Sequence, residues 1–98
     1  MTTTEIVEAI LAYQAKEGGP VASWYVGISD NAKERLFSGH GVEEKNAWWI
    51  HCEADTEPWA RAAEKVLLGE GFVGGPGGGT GGDTVFVYAY RKGPNTSP

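Results

Sequence analysis

Apolar residues recur at three- and four-residue spacings from the start of the chain. Ile6, Val7, Ile10, Leu11 and Tyr13 form the stripe, behind a Thr2-Thr3-Thr4-Glu5 segment with capping-box chemistry. This predicts an amphipathic helix over about 4–17. Gly18-Gly19-Pro20 stops it by joining a left-handed cap to a residue that cannot continue a helix. The period then falls to two. Over about 21–28, Ala22, Trp24, Val26 and Ile28 share one face of a strand, and Ser23, Tyr25 and Gly27 share the other. The first face is core; the second, small residues around one phenol, suits an open, site-lining surface. Gly27 sits near the strand's end, where a missing side chain lets a backbone or a ligand come close.

Ser29, Asp30 or Asn31 offers a side-chain oxygen to cap a short helix over about 31–38, which ends at Gly39 or Gly41 and leaves His40 in a loop. Val42 to Asn46 is a charged connector, and 47–53 reads as a second strand with Trp48, Ile50 and Cys52 on one face and Trp49 and His51 on the other. Asp55-Thr56-Glu57-Pro58 starts a helix over about 57–69, because proline in the first turn gives up no hydrogen bond. The clearest strand is the last, about 84–91. Val85, Val87 and Ala89 take one side of it, and Phe86, Tyr88 and Tyr90 take the other. The expected fold is α+β, with a small, mostly antiparallel three-stranded sheet and three helices. One domain spans 1–92, including a glycine-rich loop over 69–82, and 93–98 forms a flexible polar tail.

Composition narrows the function. With 98 residues, 41% of them apolar and four Trp, the chain has material for one core but not two. A net charge of −5 with a pI near 4.9 gives no general basic surface for nucleic acid. A local patch remains open through Lys33 and Arg35, Arg61 and Lys65, and Arg91 and Lys92. One cysteine rules out an internal disulfide and a cysteine-rich zinc site, and Cys52 within an apolar run reads as a small buried hydrophobe. The apolar runs are too short for a membrane span, so a cytoplasmic location without a membrane partner is expected. The loop from Gly69 to Gly82 holds nine of the fifteen glycines but contains no Lys and follows a helix, so it is no nucleotide-binding loop. Its backbone can wrap an anion, pack under a neighbour or serve as a connector.

Two charged positions stand out. Arg35 lies ten residues after Tyr25, about one helical turn past the cap, which holds its guanidinium over the end of the sheet, a place suited to phosphate. Glu64 interrupts an otherwise apolar stripe between Ala60 and Leu68. Either it reaches water at the rim of that face or a cation compensates its buried charge. His40 in its loop and His51 in its strand are read first as ordinary residues.

Tyr25-Val26-Gly27, then Arg35-Leu36, then His40 resembles the second half of the signature of GIY-YIG nucleases, and Ala60 to Leu67 resembles that family's later helix with its metal-binding Glu. The resemblance covers roughly residues 24–70. It implies metal-assisted hydrolysis of a phosphodiester in which Glu64 holds Mg²⁺ or Mn²⁺, Arg35 clamps the phosphate, and Tyr25 and His40 orient water or take its proton. Nucleic acid is then the partner, DNA ahead of RNA. The chain departs from the family in having no Gly-Ile-Tyr strand before Tyr25 and no evident late Asn, Asn95 falling in the tail. If the last strand pairs antiparallel beside Trp24–Ile28, it fills the missing strand's place, and Tyr88 or Tyr90 supplies the phenol. The competing reading is a catalytically silent nuclease-fold module that binds a protein partner or a second copy of itself through exposed aromatics. A small anion-binding protein is a third.

Overall fold

Thr2 closes both halves of a capping box. Its hydroxyl accepts from the Glu5 N–H at 3.2 Å, and the Glu5 carboxylate accepts from the Thr2 N–H at 2.8 Å. The helix so started, α1 (Thr3–Glu17), buries Ile6 and Ile10 completely and ends at Gly18 and Gly19, both at positive φ. The computed structural model describes residues 1–45, 47–74, 85–94 and 96. A 3₁₀ turn over Val21–Ser23 follows Pro20, so the strand expected from residue 21 begins instead at β1 (Trp24–Ser29).

Asn31 then caps α2 (Ala32–Glu34), its carbonyl oxygen accepting from the Glu34 N–H at 3.2 Å. The expected helix over 31–38 does not stay α-helical. It widens into a π-turn over Arg35–Gly39, closed by the His40 N–H on the Arg35 carbonyl at 2.8 Å. β2 (Trp49–Glu53) starts two residues later than its pattern indicates. Thr56 caps α3 (Glu57–Gly69), with Pro58 in the first turn. The chain after it is not all loop. Phe72 is buried, and Val73 bonds both ways to the edge of β1, N–H to Trp24 O and O to Val26 N–H, each at 2.8 Å. The rest of the glycine loop and Asn95 lie outside the described residues. So does Thr84, and β3 (Phe86–Arg91) begins two residues after it.

These elements make the expected α+β fold. The antiparallel sheet has the order β1-β3-β2, with the last strand in the middle. Alternation gives it two different faces. One carries Trp24, Val26, Ile28, Cys52, Val87 and Ala89 against α1 and α3, with Ala60, Ala63 and Leu67 packed in from α3. The other carries Tyr25, Tyr88 and Tyr90 beneath Ala32, Leu36 and Val42. Cys52 is a buried thiol as expected, and burial pushes its pKa up. Among the described residues, no helix is long and apolar enough to cross a membrane.

Because Ile10 is fully enclosed between α1 and the sheet, Ile10→Ala should cost about 2–5 kcal/mol of stability. Truncation of the exposed Lys16 should stay within about 0.5 kcal/mol. Urea unfolding of the two variants measures the contrast.

Candidate functional site

The side of the sheet expected to be open is covered. Tyr25 is only 8% exposed, because α2 and the π-turn lay Ala32 and Leu36 across this face. Register decides what meets what beneath them. Tyr25 stands opposite Tyr90, and Gly27 opposite Tyr88. The Tyr25 and Tyr90 rings stack at 5.3 Å between centroids, and the Tyr88 ring lies across Gly27. A β-carbon built at Gly27 would collide with the Tyr88 hydroxyl and the ring carbon that bears it. The gap left by the missing side chain is thus filled by a phenol of the neighbouring strand.

His40 is not a surface loop residue. It is 5% exposed and sits among three phenols. Its Nε2 is 2.8 Å from the Tyr88 hydroxyl, and its Nδ1 is 3.2 Å from that of Tyr90. The π-turn explains the placement, since its wider ring carries the chain one residue further before it leaves the helix and turns residue 40 in towards the sheet.

Two groups identified from sequence bond Tyr88, His40 through Nε2 at 2.8 Å and Arg35 through its guanidinium. Burial pushes the pKa of this phenol up, and a hydrogen bond from Arg35 pulls it the other way. The charges of Tyr25 and Glu64 also reach it and raise it further. Arg35 is exposed, with its stem passing 3.9 Å from the position a Gly39 side chain would take, so the guanidinium is open to solvent on one side. Tyr90 is fully buried, and loss of water pushes its pKa far above the ordinary phenol range.

Glu64 is half-buried, and the same desolvation raises its carboxyl above the usual value, with Arg61 opposing it from one turn away. Arg61 is itself held by Glu57 at 3.4 Å. Among the described residues there is no group of three or more His, Cys, Asp or Glu side chains placed to hold a metal ion. The three basic pairs serve separate places: Arg35 bonds Tyr88, Arg61 pairs with Glu57, and Arg91 lies 5.3 Å over the Trp48 ring. His51 stacks on Trp49 as an ordinary sheet residue.

No protein-family model, no curated protein and no solved structure matches this chain.

Tyr90 is the residue that the sequence left without a partner. The signal for it was present in the alternation of β3, which puts Tyr88 and Tyr90 on one face. Its meeting with His40 depends on the π-turn.

Two outcomes follow. Gly27→Ala forces the Tyr88 ring aside and should cost about 1–3 kcal/mol, with loss of the His40–Tyr88 contact in the variant's structure. Glu64→Gln should raise stability at neutral pH. A carboxyl whose folded pKa lies above its unfolded value contributes fully below the unfolded value, near 4.5, and loses that contribution as pH rises through the folded value. The advantage of Gln should therefore appear above that range and vanish below it in urea titrations across pH.

Proposed function

We propose that the chain is a GIY-YIG-like, metal-dependent endonuclease that hydrolyses nucleic-acid phosphodiesters, DNA ahead of RNA. The observation that carries this reading is the phenol of Tyr88, laid across Gly27 with His40 Nε2 at 2.8 Å and Arg35 bonded to the same oxygen. The position of β3 supports it further. It lies antiparallel beside β1, where the missing Gly-Ile-Tyr strand would belong, with Tyr88 opposite Gly27. Tyr88 rather than Tyr90 is the replacement phenol, because Tyr88 is the one that bonds Arg35.

Arg35 neutralises charge growing on the phosphate, since its guanidinium is both exposed and anchored at the site. Tyr25 and Tyr88 supply phenols beside it. His40, enclosed and bonded at both ring nitrogens, works through Tyr88 instead of meeting water directly. The lone desolvated carboxylate of Glu64 fits a hard divalent cation that keeps most of its waters, magnesium or manganese, and the opposing charge would relieve the cost of its burial. Such an ion supplies charge stabilisation for the leaving oxygen.

Exposed Trp48, Trp59 and Val66 favour a second reading, a silent nuclease-fold module that binds a protein or a second copy of itself. Supercoiled DNA incubated with the protein and magnesium or manganese separates the two. Nicking that falls about 100-fold or more in each of Arg35→Ala, Glu64→Ala and Tyr88→Phe is the expected result. Absence of cleavage on DNA and RNA with either metal, in a folded protein, would leave the binding module.

A further inference from the structure

A cleft of about 370 Å³ opens at the end of the sheet, between the loop after the π-turn and the residues that follow β3. Its volume falls in the range of small-ligand sites. Gly41, Glu43, Trp48, Arg91 and Lys92 are among the residues that line it. It stands apart from the Tyr88 cluster, since Arg91 comes three residues after Tyr88 on β3, about 10 Å along the strand.

The cleft joins an aromatic surface to positive charge. Trp48 is 42% exposed, and the Arg91 guanidinium lies 5.3 Å from the centre of its ring. A guanidinium attracted to an indole face keeps its N–H groups directed outward in its own plane, so it can still bind an oxyanion. The backbone that carries both cations is tied to its neighbours on either side. The Arg91 N–H donates to the Trp48 carbonyl at 3.0 Å, and the Lys92 N–H donates to the Ser23 carbonyl at 2.8 Å. Gly19 leaves room for the Arg91 side chain, because a β-carbon there would come within 3.3 Å of Nε. Among the described residues neither Arg91 nor Lys92 forms an ion pair with a carboxylate. Glu43 adds a negative group to the same cleft. A carboxylate opposes a bare anion, but it accepts readily from the amino group of a base.

We propose that this cleft is a nucleotide site: the base lies against Trp48, the phosphate is held by Arg91 and Lys92, and Glu43 accepts from an amino group of the base. A free nucleotide and one unit of a nucleic-acid strand share this chemistry. A base reaches an aromatic face only outside a duplex stack, so a strand bound here is single. Assigning that nucleotide to the strand being cleaved rests on the nuclease reading; the site itself does not.

Calorimetry on the whole protein without metal reads binding with no cleavage. Deoxycytidine monophosphate should bind about tenfold tighter than deoxycytidine or inorganic phosphate, each of which lacks one half of the recognition. Single-stranded hexadeoxycytidylate that binds more tightly still makes the cleft a strand site, and one that binds no more tightly makes it a site for the free nucleotide. Trp48→Ala and Lys92→Gln should each weaken the monophosphate about fivefold or more, the size of one stacked base or one charged contact. The exposed Lys16→Gln should leave it unchanged. Lys92→Gln keeps the backbone bond to Ser23, so it still decides should Trp48→Ala not fold. Inorganic phosphate bound as tightly as the monophosphate overturns the proposal, as does a folded protein that binds no monophosphate, or binding unmoved in the folded variants. Binding without any nicking of DNA leaves the cleft and removes the nuclease; nicking without binding of either nucleotide probe does the reverse.

Discussion

The placement of the Tyr88 ring across Gly27 is the constraint on which the rest of the site depends. It requires glycine at one position of β1, β3 as the neighbour of β1, and a register in which residues 27 and 88 face one another. Once those hold, the hydroxyl is brought towards the β1 side of the sheet, within reach of the guanidinium from the π-turn and the field of the carboxylate on α3. A sheet shifted by one residue would turn Tyr88 and Tyr90 towards the apolar core under α1 and α3, where no polar partner waits. The polarity of the two phenols therefore helps to fix the register that uses them.

Enclosure accounts for the electrostatics. Three phenols and an imidazole lie under α2 with little access to water, and a medium of low dielectric makes hydrogen bonds strong and unmatched polar groups expensive. The cluster meets that cost internally: Tyr90 with His40, His40 with Tyr88, Tyr88 with Arg35. Glu64, half-buried on α3, lies outside this arrangement. Arg61 opposes its desolvation without cancelling it, which leaves a carboxylate that a cation would stabilise.

Much of this was legible in the residues, and the failures have physical causes. The caps at Thr2, Asn31 and Thr56, the two-sided alternation of β1 and β3, and the break in apolar patterning at Glu64 are local features, and each leads directly to its element. The placement of the last strand beside β1 was raised only as a condition of the family resemblance, and β3 does pair antiparallel with β1. His40 was not legible. Its burial depends on one extra residue in a helical turn, and π geometry has no periodicity signal at a length of five residues. The edge contact of Val73 escaped for a related reason, since glycine-rich sequence advertises backbone freedom and says nothing of a short stretch that a neighbouring strand has tied down. The open face imagined around Tyr25 was an error of scale: alternation shows which residues share a side, and it takes the third dimension to show that α2 covers it.

The chain order of the sheet gives the site a property that a hairpin arrangement would not have. Among the described residues β1 and β2 do not pair with each other; the strand each pairs with is β3, which comes last. With β3 withdrawn there is no sheet, and His40 and Arg35 lose the phenols they bond. The strand that completes the fold is also the strand that brings both inner phenols, so folding and assembly of the cluster are one event. Loop closure over the roughly sixty residues between β1 and β3 must be met before these contacts return anything, and the cost of such closure grows only slowly with length. An intervening segment as rich in glycine as the one before β3 thus adds little to the thermodynamic burden of putting the last strand in the middle, and the pairings on both sides of β3 repay it.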